Sequence, residues 1–290
     1  MFNFLIHPVS GVFFGALIIS FSGVFVALSQ VHPMVSAFYR VFFGCFFMVL
    51  TCVVRKEFKI QSLKHNLLAM ACGLVFALDL LFWHFSIAYI GPGLATILSN
   101  CQVFILAVAG WLFYKERLNG LFILSLPLAL AGLYMIISLD GVALSSRYLA
   151  GIGFGLLTAL CYGVFLLLIR HVQSKGPGTL FYYQVIVTGS ASVFLGLVIL
   201  VSGHSFAIPG WESLAALLGL GGVSQALAWA VIAYSLPGVE ASRAGLILLL
   251  QPALSFVWDV LFFSRATGGM GWLGVAVVLA AIYMGMSRRK

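Results

Sequence analysis

Gly11-Val-Phe-Phe-Gly15, followed by Gly23-Val-Phe25, returns in the second half of the chain as Gly151-Ile-Gly-Phe-Gly155 followed by Gly163-Val-Phe165. Working outward from these segments, the echo continues. Ala88-Tyr89 before Pro92 returns as Ala233-Tyr234 before Pro237, and Gln102 returns as Gln251. Gly120 returns as Gly269, and Tyr134-Met135 as Tyr283-Met284. The sequence therefore reads as one membrane domain over 1–290, with a first repeat over 1–140 and a second over 147–290. A helix needs about 20 apolar residues to cross a bilayer. Apolar runs of that size lie near 11–29, 34–54, 66–89, 93–114, 120–139, 148–170, 179–201, 212–235, 240–263 and 268–287. Five crossings per repeat force the second repeat to enter from the opposite side, a plan many solute carriers use. The expected fold class is an all-α integral membrane protein, with ten transmembrane helices arranged as two inverted five-helix repeats.

Composition supports lipid as the main solvent. Hydrophobic residues make up 63% of the chain and charged residues 8%, with a mean hydropathy of +1.15. That leaves too few charges to cover a soluble core. The net charge of +8 is not gathered into a patch but sits at the ends of apolar runs, which argues against a nucleic-acid partner. Cys45, Cys52, Cys72, Cys101 and Cys161 stand singly in apolar stretches, with no metal-ligand or disulfide spacing. No basic segment precedes the first apolar run, which is expected to remain as a span. No cofactor is expected.

Lysine and arginine set the orientation. With the N-terminus inside, Arg55, Lys56, Lys59, Lys64, Lys115, Arg117, Arg170, Lys175, Arg288, Arg289 and Lys290 fall on the inner side. Only Arg147 and Arg265 fall in outer loops. By the positive-inside rule both termini are cytoplasmic and the location is the inner membrane. The repeats differ in one spacing. Ten residues separate Pro92 from Gln102 and fourteen separate Pro237 from Gln251. The difference is about one helical turn, so the ninth helix is expected to start earlier, or with an irregular turn, compared with the fourth.

Polar side chains inside the spans mark the candidate site. A charge at mid-bilayer costs at least about 2.5–3.5 kcal/mol, so each needs a reason. Asp79 lies mid-way in the third span, either as a substrate or proton-coupled carboxylate or as a structural polar group. Arg40, in the second span, either holds a substrate carboxylate or serves structure. Asp79, Trp83 and Ile87 share about 80° of helix arc, with His84 beside them. Thr96, Ser99, Asn100 and Val103 share a face of the fourth span. Gln225 and Trp229 stripe the eighth, and Gln251, Ser255 and Asp259 the ninth. Such stripes face a bundle interior or a wet cavity, and interhelical hydrogen bonding alone can also produce them. Pro252 and Pro127 each free a carbonyl and can kink their helices. The Gly11/Gly15 and Gly151/Gly155 pairs allow close helix approach, for packing within the chain or for dimerisation.

These residues resemble the drug/metabolite transporter superfamily, in its EamA-like branch of ten-helix carriers. The resemblance is carried by Phe38-Tyr-Arg-Val-Phe42 around Arg40, the stretch Ala77 to Tyr89, and Ala95-Thr96. Gln102-Val-Phe, the ending Lys115-Glu116-Arg117-Leu118, and Gln251-Pro252 complete it. Val103 departs from the Pro common after the Gln, and Arg265 stands where the counterpart of Glu116 is expected. The resemblance implies alternating access by two inverted halves, with the third, fourth, eighth and ninth helices near the pathway. It also implies export of amino acids or similar metabolites.

The expected binding set is Arg40, Asp79, Trp83, His84, Asn100, Gln225, Trp229 and Gln251. Aromatic walls with few fixed charges suit neutral or aromatic amino acids. A phosphorylated substrate would need convergent cations, and only Arg40 and Arg243 are at hand. Multispecific drug efflux is the alternative, and a non-transporting membrane subunit a weaker one. No Ser-His pair, HExxH or workable carboxylate pair points to an enzyme. The expected partners are a small-molecule substrate and membrane lipid, and a monomer suffices for the plan.

Overall fold

In the computed structural model of the chain, residues 7–58, 60–136, 146–175, 179–264 and 268–287 are described. Lys59, the segment 176–178, Arg265 and the C-terminal Arg288, Arg289 and Lys290 lie outside the described residues. Nine helices among the described residues are long and apolar enough to cross a membrane, and a tenth, shorter apolar helix completes the set. In chain order they are α1 (Pro8–Ser29), α2 (Pro33–Val54), α3 (Leu63–Ile90), α4 (Ala95–Tyr114) and α5 (Gly120–Ile136). Next come α6 (Ser146–Ser174), α7 (Leu180–Ser202), α8 (Trp211–Gly238), α9 (Ala241–Phe263) and α10 (Gly269–Met286). No strand occurs among the described residues. Lipid offers no partner for backbone N–H and C=O groups, so each apolar run satisfies them within its own helix.

The punctuation read from the sequence mostly holds. His32 caps α2, its Nδ1 accepting from the Met34 N–H, and Pro33 fills the first turn, where no N–H is needed. Around Gly91-Pro92-Gly93 the backbone differs from expectation. It stays helical from Leu63 to Asn100. A straight helix would hold Ser86 and Leu98 about 18 Å apart. Yet both side chains meet Gly155 of α6, and the Ser86 hydroxyl donates to the Gly151 carbonyl at 2.9 Å. The chain therefore bends sharply between α3 and α4.

Several spans are interrupted. α4 breaks at Cys101, immediately before Gln102, and α9 breaks at Leu249, two residues before Gln251. The two break residues have nearly the same dihedrals, φ −60° and ψ −9° against φ −65° and ψ −13°. Pro252 sits just past the second break, as its missing N–H requires. α4 ends on a left-handed residue, Lys115, and α9 on its counterpart Ser264. α1 breaks at Ser20-Phe21. Ser255 of α9 donates to the Ser20 carbonyl at 2.9 Å, Trp258 donates to the Ser20 hydroxyl at 2.7 Å, and Phe21 stacks on Trp258. Pro127 leaves α5 continuous.

Small residues set the packing. Gly15 lies against Ile232 and the Ala228 carbonyl of α8, while Gly151 lies against Tyr89 and Ile90 of α3. Gly15, Gly151 and Gly155 thus serve contacts within the chain. α6 packs on α3 and α4, α7 on α2 and α3, α9 on α4, and α5 on α10. At the α5–α10 crossing Gly132 and Gly274 face each other's backbone. α8 is the most enclosed span, 67% buried against 28–44% for the other long spans. It carries the centre of the molecule.

Candidate functional site

The centre is built where α2 crosses α8. Arg40 Nε donates to Gln225 Oε1 at 2.9 Å. Residues Leu220–Leu227 of α8 form a π-helical segment, a rare form found mostly as short insertions at functional sites. Its wider turn carries Gln225 toward α2. The crossing is close because Gly44 stands one turn beyond Arg40 and Gly221 one turn before Gln225. A Cβ on Gly44 would run into the Gln225 side chain, and one on Gly221 would meet Phe43 and the Gly44 amide. Arg40 and Gln225 are therefore held together by the backbones of two helices.

Asp79 of α3 is buried, and it, Arg40 and Tyr162 of α6 lie within electrostatic range of one another. No ion pair within 4 Å joins Asp79 to Arg40. Aromatic rings enclose the group. Phe76 stacks on Phe165 at 4.6 Å, and Trp229 meets Phe165 edge-on at 4.8 Å and Phe76 at 5.8 Å. The Arg40 guanidinium lies 6.0 Å from the Phe76 ring centre. Gln184 of α7 donates to the Trp229 carbonyl at 3.1 Å and holds α8 from the far side. The Trp229 indole N–H is buried without a partner, as is the Ser224 hydroxyl. Buried donors without partners are costly, so these are groups for a bound polar molecule or water to satisfy.

Of the sequence-derived set, the structure brings together Arg40, Gln225, Asp79 and Trp229. Trp83 and His84 lie further along α3, half-buried and edge to face with each other. His84 pairs through Nδ1 with the Leu80 carbonyl at 2.6 Å and faces His32 and Pro33, near the end of the bundle where α2 starts. Asn100 is buried but donates to the Thr96 carbonyl at 2.8 Å, where Ser99 also donates. Both side chains thus serve the end of the helical stretch that stops at Cys101. Gln251 is half-buried and without a hydrogen bond.

Sequence reasoning passed over Tyr162, Phe76 and Gln184, and it used Gln102 as a marker of the repeat and of the family resemblance, not as a site residue. The available signals were slight. Tyr162 and Gln184 carry polar tips within apolar helices, and Tyr162 precedes the repeated Gly163-Val-Phe165. Gln102 is fully buried with neither amide atom bonded, close to Gly245 of α9. No group of three or more His, Cys, Asp or Glu among the described residues could hold a metal.

A second polar assembly ties α4 to α9 at the opposite end of the bundle. The Glu116 carboxylate accepts the backbone N–H of Ala241 at 2.6 Å and that of Ser242 at 3.1 Å. It also accepts the Ser242 hydroxyl at 2.6 Å, and Arg170 of α6 lies 3.8 Å away. This is a carboxylate cap on the first turn of α9, supplied from the link that follows α4. Gly110 leaves room for it, since a Cβ there would collide with the carboxylate. Arg170 also stacks over Tyr114 at 4.6 Å, and Arg243 pairs with Glu240 at 2.7 Å.

Comparison with known proteins gives a consistent picture. The model of the EamA-like transporter family matches twice, over residues 8–138 and 149–286. A protein of Bacillus subtilis (strain 168) named as an uncharacterized transporter, YxxF, is 23% identical over 79% of this chain and 72% of its own length. An uncharacterized transporter of Archaeoglobus fulgidus is 25% identical over 58% of this chain and 57% of its own. One solved crystal structure shares the fold with a TM-score of 0.81 at 14% identity, covering 95% of each chain.

Proposed function

Because the chain belongs to the EamA-like transporter family, we propose that it exports amino acids, neutral or aromatic ones above all, or related small metabolites. Transport proceeds by alternating access of two inverted five-helix repeats, 1–140 and 147–290, within one membrane domain. The protein sits in the inner membrane with both termini cytoplasmic.

One observation carries this reading: the Arg40–Gln225 pair, with Asp79 and Tyr162 in range and a wall of Phe76, Phe165 and Trp229 around them. With Nε held by Gln225, the Arg40 fork keeps its terminal nitrogens for a carboxylate. Asp79 supplies an acceptor for an ammonium group. The aromatic wall supplies apolar surface for a side chain. Trp83, His84 and Gln251 line the approach on α3 and α9, while Asn100 serves the end of its own helix. The Glu116 cap ties the end of α4 to the start of α9.

The same aromatic wall supports multispecific efflux of amphipathic compounds as the second reading. Flux of radiolabelled amino acids in proteoliposomes tests both. Phenylalanine or leucine flux that falls with Asp79→Asn and Trp83→Ala supports the first. Flux of aromatic cations without amino-acid flux would replace it with the second.

A further inference from the structure

We propose that the cleft between α4 and α5 holds one anionic phospholipid, its phosphate on Lys115 and Arg117 and an acyl chain between Trp111 and Ile123. α4 and α5 are joined by only the residues between Tyr114 and Gly120, yet they diverge, since α5 packs on α10 and α4 on α6 and α9. The divergence leaves a recess of about 620 Å³ lined by Trp111, Lys115, Glu116, Arg117, Leu118 and Ile123.

The chemistry of that lining is divided. Trp111 is 61% exposed and Ile123 56% exposed, and they form apolar walls open to the bilayer. Lys115 and Arg117 are exposed at the head of the recess, and their side chains make neither an ion pair nor a hydrogen bond. The acid between them pairs with neither, because the Glu116 carboxylate is turned to the Ala241 and Ser242 amides, the Ser242 hydroxyl and Arg170. The recess lies on a link between two spans and therefore at headgroup level. Trp111, Phe113 and Tyr114 are placed as an interfacial aromatic belt would be. Two free cations above an apolar slot select a molecule with a negative head and a hydrocarbon tail.

Lipid retention tests it. Phosphatidylglycerol and phosphatidylcholine are offered in equal amounts to the purified protein in detergent, and bound lipid is counted by native mass spectrometry. The wild type is expected to retain phosphatidylglycerol in preference. Lys115→Gln with Arg117→Gln should cut that retention about tenfold or more, at about 1 kcal/mol per cation. Ile123→Trp, which fills the slot without changing charge, should also reduce it. Lys56→Gln with Lys64→Gln, removing equal charge elsewhere on the same side, should leave it unchanged. All these positions are exposed, so the variants keep the wild-type fold. Equal retention of the two lipids, equal loss in both charge variants, or no effect of Ile123→Trp overturns the proposal. Displacement of the lipid by millimolar inorganic phosphate also overturns it, leaving a headgroup site alone.

Discussion

Glu116, at the end of α4, caps the helix that begins at Ala241, so one residue of the first repeat closes the first turn of a helix in the second. The cap joins two long segments of sequence at one end of the bundle. Removing it should loosen that end before it loosens anything else.

Glu116→Ala is expected to lower stability by roughly 1–2 kcal/mol, the range for losing a helix cap. Beyond that loss it leaves Arg170, itself largely buried, without its carboxylate. Glu116→Asp should fall between the two. The direct readout is thiol labelling of a cysteine placed at Ser242, which should become faster in Glu116→Ala. Unchanged labelling would show that the cap does not hold the seam shut.

Gln225→Leu removes the acceptor of the Arg40 Nε bond. The expected stability loss is about 1–3 kcal/mol for a charged donor left unpaired. Transport should suffer more through KM than through maximal rate, because the fork that meets the carboxylate is no longer aimed. Gln225→Glu, which can still accept from Nε, should restore stability without full transport. Steady-state flux with thermal unfolding in detergent separates these effects.

Glycine substitutions should sort by what stands opposite them. Gly44→Ala and Gly221→Ala push the α2–α8 crossing apart, since neither site has room for a Cβ. Both should lose about 1–3 kcal/mol by overpacking and reduce yield in the membrane. Gly23 has nothing within 4 Å of the added Cβ, so Gly23→Ala should be neutral or slightly stabilising through helix propensity. A fluorescence-detected thermal melt of the three variants is sufficient.

Acid should weaken the end of the bundle where His32 stacks on His204 at 4.1 Å. Burial, and then the neighbouring His204, holds His32 below its usual value of 6.5. His32 Nδ1 also accepts from the Met34 N–H, which a protonated ring cannot do. The folded state therefore takes up this proton less readily than the unfolded chain. Its contribution is complete above about pH 6.5 and is lost as pH falls through and below that value. His84 on α3 faces the pair, and Tyr39 ties the same end through the Phe206 carbonyl. Melting temperatures between pH 7.5 and pH 5 should fall for the wild type and flatten in His32→Gln. Parallel curves would assign the acid sensitivity to other groups.

How far the sequence led differs between scaffold and site. The spans were legible because lipid leaves apolar length as almost the only variable, and repeated residues such as Gln102 and Gln251 marked the matching helices. The break in α9 was foreseeable from Pro252. The matching break at Cys101 was not, because no proline or glycine announces it. Helical backbone through Gly91-Pro92-Gly93 went against turn chemistry, as packing on Gly155 decides the bend there. In the site, Arg40 and Asp79 stood out by cost alone. Gln225 and Trp229 showed as a stripe, but Tyr162, Phe76 and Gln184 did not stand out. Whether Asn100 faces a cavity or its own helix depends on where that helix ends, and Tyr162 comes near Asp79 only through the packing of α6 on α3. Glu116 was noticed as part of a motif, but its reach to Ala241 is a long-range contact that no local pattern encodes.

The paired interruptions at Cys101 and Leu249 give each half a flexure beside its glutamine. If the carrier exchanges shapes between its halves, these two flexures must trade roles. They are not equal partners. Pro252 has no N–H to return to the ladder, so the second flexure cannot straighten, whereas Val103 keeps its donor and the first can. A single imino acid thus makes two otherwise matching breaks chemically unequal.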